Sequence, residues 1–160
     1  MNNKLFVYIS FVLISIVFPF DKCFSQRKTI SDIKVGAEST EDYIPLLKGK
    51  KVGIVANQTS IIGKTHLVDS LISLGINLRA IYCPEHGFRG DVEAGEKVNS
   101  SIDIKTGIPI ISLYGNNKKP NKDEFKKNDI IIFDIQDVGC RFYTYISTLH
   151  YVMESCAENN

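Results

Sequence analysis

Four mainly apolar runs decide what this chain can fold into: Val52 to Ala56, Leu78 to Cys83, Ile108 to Leu113 and Ile130 to Ile135. None alternates polar with apolar residues, and Arg79 and Asp134 are their charged interruptions. Near-continuous runs of this length, rich in Ile and Val, suit strands buried on both faces of a parallel sheet. Between the first two runs, His66 to Leu74 places Leu67, Val68, Leu71 and Ile72 on one helical stripe, with Gly75 as the stop. After the fourth, Tyr143 to Glu158 repeats Leu149, Val152, Met153 and Cys156 at i, i+3, i+4 and i+7. Strands alternating with helices predict an α/β fold: a mainly parallel sheet, flanking helices and right-handed crossovers. Asn116 to Asn128 reads as a charged surface segment holding a short helix.

The N-terminus has a different character. Lys4 precedes a sixteen-residue apolar run from Leu5 to Phe20, and Cys23-Phe24-Ser25 offers small residues at both cleavage-determining positions. This is the pattern of a signal peptide spanning residues 1–25, with Gln26 as the new N-terminus and a periplasmic or extracellular destination. The run falls short of the ~20 residues that a spanning helix needs, so no stable membrane span is expected after cleavage, an uncleaved anchor being the alternative. Removal of residues 1–25 takes away Lys4, Lys22 and Asp21 and leaves a neutral remainder. That remainder lacks the basic surplus of a nucleic-acid binder. Residues 26–50 form a polar lead-in with a short helix near Thr40 to Leu47, and residues 51–160 form the domain. Cys83, Cys140 and Cys156 sit within or beside apolar stretches without a CxxC spacing and are expected to be buried small hydrophobes.

Ligands of open α/β sheets bind beyond the carboxyl ends of the strands. Four segments qualify: Asn57 to Ser60, Pro84 to Gly90, Tyr114 to Asn116, and Asp134 to Tyr143. They are rich in amides, carboxylates, guanidinia and phenols, a set suited to a polar, multiply hydroxylated ligand. A dinucleotide fold wants GxGxxG directly after the first strand, whereas Asn57 to Gly63 holds one glycine, so no nucleotide is expected. Zinc wants paired ligands; only the adjacent Glu85-His86 is suggestive, so neither a metal nor another cofactor is expected.

Glu85 is the sharpest candidate. Pro84 stiffens its turn, Gly87 permits close approach of a ligand, and a glutamate at this strand end suits a general acid. The competing reading is a turn carboxylate paired with Arg89. His86 either orients Glu85 and meets a substrate hydroxyl, or is structural. Asp134 and Asp137 are candidate carboxylates, Asp137 also being a candidate N-cap of the last helix. Arg141 either clamps a substrate carboxylate or pairs with Asp137. Tyr143 and Tyr145 either line a sugar site or pack at the helix start.

Three ordered motifs carry a resemblance: Val52 to Ser60, Pro84 to Gly90, and Asp134 to Tyr145. Together they resemble the exo-β-N-acetylmuramidase family, over about Val35 to Glu158. The resemblance implies a Rossmann-like N-terminal domain without a nucleotide, a further C-terminal domain that this chain lacks, and substrate in the cleft between them. It implies release of N-acetylmuramic acid from the non-reducing ends of peptidoglycan fragments in cell-wall turnover and recycling, with muramic acid saccharides as ligands. On that reading Glu85, His86 and Asp137 are the catalytic candidates. Asn57, Arg89, Asp134, Gln136, Arg141 and Tyr143 are the substrate-binding ones. Two other classes compete: an exported sugar-binding domain without catalysis, and a metal-dependent hydrolase or deacetylase of cell-wall material.

Overall fold

A computed structural model describes residues 34–90 and 100–159, so the expected leader over residues 1–25 lies outside the described residues. A 3-10 turn (Gly36–Glu38) and α1 (Thr40–Leu47) precede β1 (Lys51–Ala56), and a small hairpin, β2 (Ile61–Ile62) with β3 (Thr65–His66), leads into α2 (Leu67–Ser73). Then come β4 (Asn77–Cys83), β5 (Ser101–Ile102), β6 (Pro109–Ser112), α3 (Lys122–Phe125), β7 (Ile130–Asp134) and α4 (Tyr145–Asn159). All four apolar runs are strands, and β1 pairs in parallel with β4 and β7, as β4 does with β6.

The sheet order is β5-β6-β4-β1-β7. The chain winds outward from β1 through β4 to β6, then crosses back to place β7 on the other side of β1. The winding direction therefore reverses between β1 and β7, the position at which α/β sheets open a ligand crevice. Two elements escaped the sequence reading: the β2–β3 hairpin and β5, which is antiparallel to β6. Each has only two residues per strand, too few to show a period.

Burial explains the pattern. Val52, Ile54 and Ala56 of β1 face α2, packing with Leu67, Val68, Leu71, Ile81 and Cys83. Val55 faces the opposite layer with Ala80, Tyr82, Phe125 and Val152. Arg79, the interruption in the second run, is where the β1–β4 register shifts, Val52 pairing with Leu78 but Gly53 with Ala80. That bulge lets Leu78 and Ile81, three apart, share one face despite the two-residue period of a strand. Each fully buried Val, Leu or Ile contributes roughly 1.5–3 kcal/mol.

The last helix is rotated from its expected seam. Thr148, Val152 and Ser155 are its buried residues, whereas Met153 is 63% exposed. Ser155 Oγ donates to Pro120 O at 3.3 Å, so small residues allow a close approach that a methionine would block. Tyr143 lies two residues before the helix, outside it. Cys83 is buried as expected; Cys140 and Cys156 are half-buried. None of the helices in the described residues is long and apolar enough to cross a membrane.

Candidate active site

Because β1, β4, β6 and β7 run parallel, all four polar segments leave the sheet at the same edge. The first is organised by Asn57, which is fully buried. Its Oδ1 accepts from Thr59 N (2.9 Å) and Thr59 Oγ1 (2.6 Å), and its Nδ2 donates to the Tyr145 hydroxyl (3.2 Å). Ser60 Oγ donates to the carbonyl of Asp134, and Gln136 N donates to Thr59 Oγ1 at 3.1 Å. The ends of β1 and β7 are thereby laced together at the switch point.

His66 secures the same turn from below. Its Nδ1 accepts from Val68 N at 3.2 Å, so Nε2 carries the proton and donates to Asn57 O at 3.0 Å. Burial holds its pKa below the ordinary value, opposed by the bond to Asn57, and the ring stays neutral. In a dinucleotide fold the first helix N-terminus would face a pyrophosphate. Here His66 caps it, and the β2–β3 hairpin separates it from β1.

The segment after β4 is anchored by buried Phe88, whose ring meets that of His66 edge-on at 4.6 Å. Between Pro84 and Phe88 the backbone passes through two left-handed residues, His86 (φ 75°) and Gly87 (φ 76°). His86 is the one non-glycine residue with positive φ among the described residues, a conformation costing about 1–2 kcal/mol. Such strain persists where the surroundings hold it, and it is often part of a functional turn. The half-buried Glu85 accepts a hydrogen bond at Oε1 from the Tyr114 hydroxyl, 3.1 Å away. Glu85 raises the Tyr114 phenol above its ordinary value, which keeps it a donor across the neutral range.

These elements surround a cleft of about 630 Å³, within the usual size range of small-ligand sites. Gln58 and Thr59 contribute from the first segment, Glu85 and His86 from the second, and Gln136, Phe142, Tyr143 and Tyr145 from the fourth. Tyr114 reaches the site from the third through Glu85. Glu85 is the one carboxylate lining the cleft among the described residues. No group of three or more His, Cys, Asp or Glu positioned for a metal ion occurs among the described residues.

The candidates read from sequence are distributed unevenly. Glu85, His86, Gln136 and Tyr143 line the cleft. Asn57 lies beneath it with its amide already engaged. Arg89 turns away: its Nε and Nη2 grip Asp103 at 3.0 and 2.9 Å, and Nη2 also meets Asp69 at 3.3 Å. The competing Arg89–Glu85 pair is absent because Asp103, 6% exposed at its side chain, offers a planar bidentate partner. Asp134 has the strand parity of Ile130 and Ile132 and lines an apolar recess beside Tyr43 and Leu47. Burial raises its pKa, against an opposing Ser60 hydroxyl. Asp137 is exposed and accepts from Gly139 N at 2.6 Å, an Asx turn rather than a helix cap; exposed Arg141 does not pair with it. Sequence reasoning missed Tyr114 as a partner of Glu85 and His66 as a brace; adjacency to a strand end was the available signal for Tyr114.

Comparison with known proteins follows the same outline. A family model described as the N-terminal part of the exo-beta-N-acetylmuramidase NamZ matches residues 52–160. The peptidoglycan beta-N-acetylmuramidase NamZ of Bacillus subtilis (strain 168) is 50% identical over 122 residues, covering 74% of this chain and 29% of that protein. A crystal structure of a DUF1343 family protein from Bacteroides fragilis NCTC 9343 has a TM-score of 0.66 at 47% identity, covering 77% of this chain and 31% of its own. A second from the same organism has a TM-score of 0.71 at 42% identity, covering 79% and 32%. The chain thus spans about a third of the length of these relatives.

Proposed function

The chain belongs to the NamZ N-terminal family, and from that premise we propose that it supplies the Rossmann-like part of a glycosidase that removes N-acetylmuramic acid from the non-reducing ends of peptidoglycan fragments. The observation that carries this reading is the position of Glu85. It is held by Tyr114 on the wall of a cleft lined with amides and tyrosines, at the carboxyl edge of the sheet. Glu85 acts as general acid, giving its proton to the glycosidic oxygen as the bond to the anomeric carbon breaks. His86, fixed by its left-handed turn, orients the sugar or Glu85. Of the two aspartates, Asp137 does not itself line the cleft but is the sequence neighbour of the cleft-lining Gln136 and Val138, and it is the one assigned to the second carboxylate role. Tyr143, Tyr145 and Gln136 contact the saccharide; Asn57 acts as a positioning residue beneath it. The capped helix N-terminus after β1 supports a saccharide over a nucleotide as ligand.

Residues 1–25 are assigned as an export leader, which brings the enzyme to its cell-wall substrate outside the cytoplasm. The decisive experiment incubates the protein, at the full length its gene encodes, with MurNAc–GlcNAc and GlcNAc–MurNAc disaccharides. Free N-acetylmuramic acid is expected from the first and no cleavage from the second. Tight binding of the first disaccharide without cleavage would overturn the hydrolase in favour of a sugar-binding domain. Loss of cleavage on adding chelator would favour a metal-dependent enzyme.

A further inference from the structure

Glu85 also lines a second, smaller recess of about 180 Å³, together with Tyr114, Lys118, Thr144, Ser147 and Tyr151 among others. Glu85 and Thr144 line both this recess and the main cleft, so the two are neighbours across one wall. Its volume is below the ~300–1,000 Å³ of whole-ligand sites, which suits a substituent of a bound sugar rather than another ring.

Of its polar lining, Lys118 and Ser147 are exposed and Tyr151 is half-buried. Lys118 and Lys119 are consecutive in one loop, yet they are used differently. Lys119 is neutralised by Glu154 at 3.0 Å and Glu158 at 2.7 Å. Lys118 has no acidic partner among the described residues, and Glu85 is the only other charged side chain lining the recess. Ser147 and Tyr151, one turn apart on α4, bring hydroxyls to the same space. Neither hydroxyl is spent on a hydrogen bond within the described residues. An unpaired ammonium with two unspent hydroxyls is a donor set for a carboxylate.

We propose that this recess is a carboxylate-binding subsite in which Lys118 receives the lactyl group of a muramic acid. The inference rests on the hydrolase reading above and deepens it. N-acetylmuramic acid differs from N-acetylglucosamine by a lactic acid ether on the third ring carbon, two ring positions from the anomeric carbon. A general acid serving the anomeric oxygen therefore stands within one sugar ring of that carboxylate, matching the shared wall at Glu85. Bound sugar would cover the pair from water, where an ammonium–carboxylate contact strengthens.

The test uses the full-length gene product with Lys118→Met and Lys118→Arg, and three aryl glycosides with one leaving group. These are the β-muramide with a free lactyl carboxylate, its methyl ester, and the β-glucosaminide. Lys118→Met should raise KM for the acid about ten-fold, leave kcat nearly unchanged, and leave KM for the ester and glucosaminide where they were. Lys118→Arg should restore most of the preference. Equal effects on acid and ester, or an unchanged KM for the acid, would overturn the subsite. If wild type cleaves none of the three, the hydrolase reading fails instead. Calorimetric binding of the free acid against its methyl ester, to wild type and Lys118→Met, then decides the subsite: weakening confined to the acid supports it, and any other pattern refutes it.

Discussion

The hydroxyl of Tyr114 donates to Oε1 of Glu85 at 3.1 Å, joining the loop after β6 to the loop after β4. The two residues are 29 positions apart, and only parallel pairing of their strands brings them to one edge. The contact limits the rotamers open to the Glu85 carboxyl and leaves its other oxygen without a hydrogen bond among the described residues.

Removing that donor separates positioning from folding. Tyr114→Phe keeps the ring and its packing, so the melting temperature should stay within a few degrees. In the full-length gene product, with Glu85 free to rotate, the proposed cleavage of MurNAc–GlcNAc should show a kcat about ten-fold lower with KM little changed. A large KM change at constant kcat would place Tyr114 in sugar binding instead.

Glu85→Gln tests the proposed general acid through the leaving group. Proton transfer contributes about 10²–10⁴-fold, and a sugar leaving group needs it far more than a phenolate does. In the full-length gene product the variant should lose most of the proposed activity on MurNAc–GlcNAc and much less on an aryl muramide. Equal losses on both would make Glu85 a nucleophile or a binding residue.

Arg89 is expected to act on stability rather than on catalysis. Arg89 holds the Asp103 carboxyl below its ordinary value, outweighing burial. At Asp69 burial acts to raise the pKa, but Lys105 and Arg89 together lower it. Folded-state values below the unfolded ones mean stability that is present above about pH 4 and lost as pH falls through the lowered values. Arg89→Gln leaves Asp103 nearly buried without its cation and, for the loss of charged hydrogen bonds at a partly exposed site, should cost about 2 kcal/mol at pH 7. Urea midpoints of the variant should also fall less steeply below pH 5 than those of wild type.

His66 supplies a second pH dependence at higher pH. Its folded pKa is lowered chiefly by burial, so the unfolded chain takes up the proton first. Its contribution is full above about pH 6.5 and declines as pH drops through the lowered folded value. His66→Ala removes the cap of α2 and the bond to Asn57, at a cost of about 2 kcal/mol at pH 7. It should also flatten the stability profile between pH 7 and 5. A variant that keeps the wild-type slope in that window would assign the titration to another group.

The strands, their succession along the chain and the shared edge of the polar segments are legible in the amino-acid sequence. Burial on two faces writes itself as unbroken apolar residues in β1, whereas the equally apolar β7 lies at the sheet edge and is only half-buried throughout. Also legible are the helix of α2 and the lead-in helix α1, whose bounds coincide with the expected Thr40 to Leu47. The motif Pro84 to Gly90 identifies Glu85 and His86 as neighbours of the cleft. Three things are decided only by the tertiary structure: the partner of Arg89, the direction of Asp134 and the brace on Glu85. Arg89 meets Asp103 across 14 residues, Asn57 meets Tyr145 across 88, and no local period records such pairings. Asp134 and Gln136 are two residues apart, yet one lines the recess beside α1 and the other the cleft, because the strand ends between them and its alternation no longer applies. Residue type and spacing set which chemistry is available at the edge of this sheet; the way the loops fold back over that edge decides which side chains share it.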